Sequence, residues 1–293
     1  LIIGVNLNDA TRWIMLPVIN ISFQTSDLAK LALIMYIARL LAKNQDKIDD
    51  FKSVFLPAII PVLIVCGLIF FANLSTAMLL FATSVVVLFI GRIKIKYILS
   101  VLAVGVLFFG IFIGILFVAP DSGRLQTWKN RIENFTNPES ADTFQSDQAK
   151  IAIATGGITG KMPGNSVQRN FLPHAYSDFI YAIIVEEYGL IGGFVLLLLY
   201  LILMFRGIRI AHRSPGTFGA FLAAGLTFSL VFQAMINMAV TVGLLPVTGL
   251  PLPLISMGGT SVWFTCISLG IILSVSRKVE ELKEQEATTY ATV

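Results

Sequence analysis

Apolar residues in this chain fall into long blocks. They do not form the alternating stripes of a half-buried strand or the periodic stripes of a surface helix. The blocks cover residues 26–42, 54–71, 75–90, 97–118, 179–205, 218–238 and 260–275. About 20 apolar residues suffice to cross the hydrocarbon core of a bilayer. The pattern therefore predicts an all-α polytopic membrane protein with seven complete transmembrane helices in one integral membrane domain, 1–293. Between 119 and 177 the hydropathy collapses, which predicts one large loop, and a polar tail occupies 277–293. The stretch TVGLLPVTGLPLPLISMGG at 241–259 is apolar but broken by proline and glycine. Non-helical backbone at membrane depth persists only where it is buried in protein or lines a cavity, so this stretch reads as a re-entrant or broken-helix segment. LIIG at 1–4 reads as the tail of an earlier span and predicts an N-terminal truncation.

Charge orients the spans. Strict alternation places the loops at 39–52, 91–96, 206–213 and 277–283 on one side, and these hold thirteen of the 21 Lys and Arg residues. Short loops rich in Lys and Arg are cytoplasmic. The large loop, Asp178 and residues 1–22 then face outward. With only 13% charged residues and a mean hydropathy of +0.83, composition excludes an ordinary soluble domain; such a domain carries about 25%. The net charge of +4 does not point to nucleic acid, because the basic residues are dispersed among loops. Cys66 and Cys266 lie in spans without metal-ligand spacing and read as small buried apolar residues.

The candidate chemistry gathers on the outer side, around FLPHAYSDFIYAIIVEEYG at 171–189. Asp178 stands where the polar loop meets a span. It reads either as an N-cap stabilised by the helix dipole, or as a general base at the lip of an apolar cavity. Glu186 and Glu187 follow inside the apolar run, where carboxylates are costly and usually functional. At ~100° per residue they fall about 80° and 180° round a helix from Asp178, which argues against a paired-carboxylate hydrolase built on this helix. Lys30, also within a span, is a candidate partner for one of them. In the loop, 141–154 has the spacing of a helix lying on the membrane surface. TGGITGKMPGNS at 155–166 reads either as a flexible turn or as a phosphate cradle formed by backbone N–H groups and Lys161. It is not a Walker A loop, since Thr155 and Met162 stand where Gly and Ser or Thr are required. Arg12 beside Trp13 is an interface anchor or a guanidinium clamp on phosphate. Arg169 and His174 carry weaker signals. No Ser-His-Asp, CxxC or HExxH arrangement occurs.

Five stretches, in chain order, resemble the SEDS family (FtsW/RodA/SpoVE). They are ATRWI at 10–14, FQTSDLAK at 23–30, Gln145 and Gln148 followed by GGITGK at 156–161, FLP at 171–173 with SDFI at 177–180, and GLLPVTGLPLPLISMGGTS at 243–261. The chain departs from the family pattern at Asn73, His174, Asp27 and Met162. The resemblance implies the later spans of a ten-span bundle in the bacterial cytoplasmic membrane, somewhat closer to the division-type members. It implies polymerisation of lipid II into glycan strands on the outer face, for division or cell shape.

On that resemblance Asp178 is the catalytic aspartate. It acts as general base on the sugar 4-hydroxyl of the acceptor, with inversion at the anomeric carbon and departure of undecaprenyl pyrophosphate. Arg12, Lys30, Lys161, Gln145 and Ser256 are the implied substrate-binding residues. A divalent cation (Mg²⁺ or Mn²⁺) with unknown ligands, and no organic cofactor, is implied. The implied partners are lipid II, the undecaprenyl-linked glycan strand, a class B penicillin-binding transpeptidase and other membrane proteins of the division or elongation complex, without nucleic acid. Two alternatives stand beside it: a flippase for lipid-linked precursors, and a non-catalytic scaffold of the synthesis complex.

Overall fold

The computed structural model describes residues 5–7, 10–16, 21–118, 123–136, 144–172 and 175–291, with backbone alone for those up to 23, for 123–124 and for 282–291. Its helices are α1 (Thr25–Lys43), α2 (Leu56–Ala72), α3 (Leu74–Ile90), α4 (Ile95–Val118), α5 (Gly123–Thr136), α6 (Phe144–Gly156), α7 (Ile180–Arg213), α8 (Thr217–Thr241) and α9 (Gly259–Ala291). Among the described residues, five segments are long and apolar enough to cross a membrane: Phe51–Ala72, Ile95–Val118, Ile180–Arg213, Thr217–Thr241 and Gly259–Glu281. The protein is a multi-pass membrane protein. The other two expected spans also form helices, but α3 has 17 residues and α1 carries Asp27, Lys30, Arg39 and Lys43.

The expectation of a helical bundle holds for these elements. Residues 5–24 add something the hydropathy pattern did not indicate, a sheet of β1 (Val5–Leu7), β2 (Ala10–Leu16) and β3 (Ile21–Gln24) in that order. β1 and β2 are antiparallel, with Val5 opposite Trp13 and Leu7 opposite Ala10. Trp, Ile, Val and Thr suit a pleated surface, and this short stretch is dense in them.

The chain divides into two compact units. One comprises Leu1–Ser22, Leu99–Tyr200 and Phe232–Gly259; the other comprises Phe23–Ile98, Leu201–Val231 and Thr260–Val293. In the second, α1, α2 and α3 pack against one another, burying Ile34, Ile37, Leu41, Ala58, Val62, Leu80 and Val87. Asn73 is the single residue between α2 and α3, and its Oδ1 accepts the Thr76 N–H at 3.3 Å. That cap satisfies one of the donors a helix start leaves open. Gly225 of α8 belongs to the same core; a Cβ there would sit 2.8 Å from Ile34 and from Val87.

In the first unit the core forms where α6 meets the start of α7. Ala149, Ala152, Leu172, Ala175, Phe179, Ala182 and Ile183 are buried together. α6 therefore buries its small residues against protein, while Phe144 and Ile151, two of the apolar positions that suggested a surface helix, stay 47% and 41% exposed. α5 was not foreseen in the loop. Its Trp128 is buried and meets Phe112 edge-on at 5.2 Å.

Candidate active site

The proline-broken stretch is non-helical from 242 to 258, as anticipated, and its backbone groups need partners. They come largely from one face of α8. Gln233 and Asn237 lie four residues apart, so both project to the same side. Gln233 Nε2 donates to the Pro251 carbonyl at 2.9 Å. Asn237 Nδ2 donates to the Leu250 carbonyl at 2.7 Å and to the Asp178 carbonyl at 2.8 Å. The Tyr200 hydroxyl donates to the Pro253 carbonyl.

The same stretch grips the residues before α7. The Met257 N–H donates to the Tyr176 carbonyl at 2.8 Å. Ser256 Oγ accepts the Leu252 N–H at 2.7 Å and donates to the Ser177 carbonyl at 2.5 Å. Three consecutive carbonyls, at 176, 177 and 178, are thus each held by a donor from 237–257. The single proton of the Ser256 hydroxyl is already committed, so this residue positions the site and has no free donor for substrate.

Asp178 is half-buried on this clamped backbone. The first turn of α7 closes on the Phe179 carbonyl, which accepts from the Ala182 and Ile183 N–H groups. The Asp178 carboxylate does not cap the helix. Its side-chain partner among the described residues is Ser177, whose Oγ donates to Oδ1 at 3.0 Å. The other oxygen faces Gly249. A Cβ at Gly249 would lie 3.5 Å from Asp178 Oδ2 and 4.0 Å from Arg131 Nη2. Arg131 Nη1 also reaches the Thr248 carbonyl at 3.4 Å. A carboxylate with one unengaged oxygen, open on the side of a glycine that leaves room, is placed to accept a proton, and the guanidinium across that glycine is suited to meet negative charge on a substrate.

The glycine-rich loop does something other than cradle phosphate. At Gly189 the backbone of α7 leaves helical geometry (φ 71°, ψ −174°). An unbroken helix would bond the Leu190 N–H to the Glu186 carbonyl. Instead Leu190 N–H donates to the Gly157 carbonyl at 2.9 Å, and the Glu186 carbonyl accepts the Lys161 N–H at 2.9 Å. The loop repairs the break, backbone to backbone. Gly156, Gly160 and Gly189 permit the approach, since a Cβ on any of them would fall within 2.2 Å of a backbone oxygen.

The Lys161 side chain is committed as well. Its Nζ pairs at 2.7 Å with Oε1 of Glu186, a residue with no exposed surface. Glu186 also accepts Ser166 Oγ at 2.5 Å and the Val167 and Gln168 N–H groups at 3.2 Å each. Lys30, the partner suggested for the glutamates, pairs with Asp27 at 3.4 Å and belongs to the second unit. The distance in sequence between 161 and 186 concealed the true pair.

Of the remaining candidates, Gln145 is half-buried in the first turn of α6, and Glu187 and Arg169 are half-buried. Arg12 lies in β2, with its side chain outside the described residues, and His174 lies outside them altogether. Among the described residues no three His, Cys, Asp or Glu side chains converge as metal ligands.

The profile described as "Cell cycle protein", FtsW/RodA/SpoVE, matches residues 1–281. The chain belongs to the FtsW/RodA/SpoVE family. Among its relatives is the probable peptidoglycan glycosyltransferase FtsW of Geobacter sp. (strain M18), 37% identical over 280 residues, covering 94% of this chain and 74% of that one. Stage V sporulation protein E of Bacillus subtilis (strain 168) is 35% identical over 287 residues, with coverage of 94% and 74%. Two solved structures are similar at 26% identity and 94% coverage of this chain. One is a chain of a peptidoglycan synthase complex studied for the coordination of polymerization and crosslinking (TM-score 0.74, 76% of that chain). The other is the rod shape determining protein RodA of Thermus thermophilus (TM-score 0.63, 72% of that chain).

Within this FtsW/RodA/SpoVE member, sequence reasoning missed Asn237 and Arg131. Asn237 carried a readable signal, because Gln233 and Asn237 are polar residues one turn apart inside an apolar block, where such residues usually have work. Arg131 sits in α5, whose Leu125, Trp128 and Ile132 recur at helical spacing.

Proposed function

We propose that this chain is a peptidoglycan glycosyltransferase that extends glycan strands from lipid II, in cell division or cell-shape maintenance. The observation that carries the reading is the Asp178 carboxylate, fixed through its backbone and left with one unengaged oxygen beside Gly249 and Arg131. In the reaction Asp178 takes the proton of the acceptor sugar's 4-hydroxyl as that oxygen attacks the anomeric carbon of the growing strand. The bond from that carbon to the pyrophosphate oxygen breaks with inversion, and undecaprenyl pyrophosphate leaves. Positive charge stabilises the departing pyrophosphate. We assign Arg131 to this task and keep Arg12 as a further candidate, with Gln145 for the sugar. Lys161 and Ser256 hold the site's frame.

A divalent cation finds no three-ligand cage among the described residues. Mg²⁺ is often held largely by substrate phosphates and water, and here it would be held by the pyrophosphate and water, leaving Asp178 free to act as the base. The cation's contribution would be charge neutralisation. An outward-facing Asp178 at the cytoplasmic membrane is supported by the sequence alternation of seven apolar blocks, α1 and α3 counted, and by the Lys and Arg content of their short loops. The similar synthase complex supports a class B penicillin-binding transpeptidase as partner.

The test is polymerisation of lipid II by the full chain with its transpeptidase, wild type against Asp178→Asn, read as glycan ladders. Ladders from the wild type alone support the reading. Equal ladders remove Asp178 from the chemistry, and none from either favours a flippase or scaffold.

A further inference from the structure

The second unit holds a cavity of about 580 Å³ between the C-terminal half of α7 and the middle of α9, remote in sequence from Asp178. Its walls change character along their length. Leu203 of α7 and Leu269 and Leu273 of α9 line one end; Arg206, Arg209 and Arg213 of α7 line the other, with Glu280 of α9 opposite. At ~100° per residue the three arginines fall within about 60° of arc, so they form one stripe along α7. All three are exposed, and no described carboxylate is paired with them. Three guanidinium groups face one carboxylate.

Loop charges that only set topology need no cavity. Here the charges share one with an apolar floor, and both helices run from apolar to charged in the same direction. A free phosphate would have no use for the leucines, and an acyl chain alone no use for the arginines. Guanidinium groups match phosphate oxygens bidentately, and basic pockets between spans on the cytoplasmic side suit anionic headgroups. We propose that this cavity binds an anionic phospholipid of the inner leaflet, its phosphate on Arg206, Arg209 and Arg213 and its first acyl carbons against Leu203, Leu269 and Leu273. The proposal rests on the orientation read from the loop charges and is independent of the role given to Asp178.

Binding is read without any activity. The purified full chain in neutral detergent is titrated with dioleoyl phosphatidylglycerol, and bound lipid is counted by native mass spectrometry. Dioleoyl phosphatidylcholine and inorganic phosphate serve as the other probes. The wild type should retain one phosphatidylglycerol per chain in preference to phosphatidylcholine, and millimolar phosphate should not displace it. Arg206→Gln/Arg209→Gln/Arg213→Gln should weaken retention about tenfold or more. Lys47→Gln/Lys52→Gln/Lys278→Gln, which removes as much charge outside the cavity, should leave it unchanged. Leu273→Trp fills the apolar end, keeps every topology-setting charge and should also weaken retention. Equal retention by wild type and both cavity variants overturns the proposal. So does equal loss in the control triple, which would make the effect one of general surface charge, and so does displacement by phosphate.

Discussion

Glu186→Gln keeps the size of a fully buried side chain and removes its charge. The carboxylate accepts four donors: Lys161 Nζ and the Val167 N–H on Oε1, Ser166 Oγ and the Gln168 N–H on Oε2. A glutamine presents an NH₂ group to two of those donors and leaves Lys161 without its counter-charge. Breaking one side of a buried ion pair costs roughly 3–5 kcal/mol. Lys161 is 31% exposed and can recover some hydration, which favours the lower end; we work with a loss of about 3 kcal/mol. At roughly 2–4 °C per kcal/mol for a chain of this size, that is a fall of about 6–12 °C in thermal midpoint. The assay is a melt of the purified full chain in detergent, for Glu186→Gln, Lys161→Met and the double variant. Two members of one network are not additive, so the double variant should melt close to Glu186→Gln. Hydrogen exchange at Leu190, whose N–H bonds the Gly157 carbonyl, should accelerate in Glu186→Gln. A shift under about 1 °C, or a double variant equal to the sum of the singles, would refute the reasoning.

Three further outcomes follow from the same contacts. Gly160→Ala should lower the midpoint much more than Gly157→Ala, although both have positive φ, because only at 160 would a Cβ meet backbone, 2.2 Å from the Glu187 carbonyl oxygen; equal melts would contradict the docking of this loop. Asn237→Leu strips the amide from the Asp178 and Leu250 carbonyls, at about 1–3 kcal/mol for each group left unpaired. It should slow lipid II polymerisation beyond what its stability explains, and full activity would argue against the clamp. Gly249→Ala, strained at φ 67° and setting a methyl group in contact with Asp178 Oδ2 where an acceptor would approach, should reduce polymerisation while a melt shows the chain still folded, and unimpaired turnover would argue against an acceptor reaching Asp178 past Gly249.

The spans were legible because bilayer thickness is a one-dimensional constraint that block length reports directly. The blocks at 97–118 and 75–90 became α4 (Ile95–Val118) and α3 (Leu74–Ile90), within two residues at each end. The broken stretch at 241–259 was legible for the same reason, since Pro246, Pro251 and Pro253 cannot donate to a helix ladder. What escaped was long-range pairing. Nothing near Lys161 announces Glu186, and a glycine-rich turn beside a lysine looks the same whether it awaits phosphate or closes a helix break. The break at Gly189 lies in an apolar run whose hydropathy does not register it. Asp178 was found by its place at the seam; why it is held there emerged only with Asn237, Ser256 and Met257 in contact with residues 176–178.

The central claim is that Asp178 moves a proton and does not merely hold substrate. Lipid II binding and polymerisation are therefore measured on one preparation of Asp178→Asn, made as the full chain with its transpeptidase partner. Positioned acid–base groups contribute roughly 10²–10⁴-fold. Binding close to wild type with turnover lower by about that factor is the predicted result. Unchanged turnover, or a loss of turnover fully matched by a loss of binding, would contradict it.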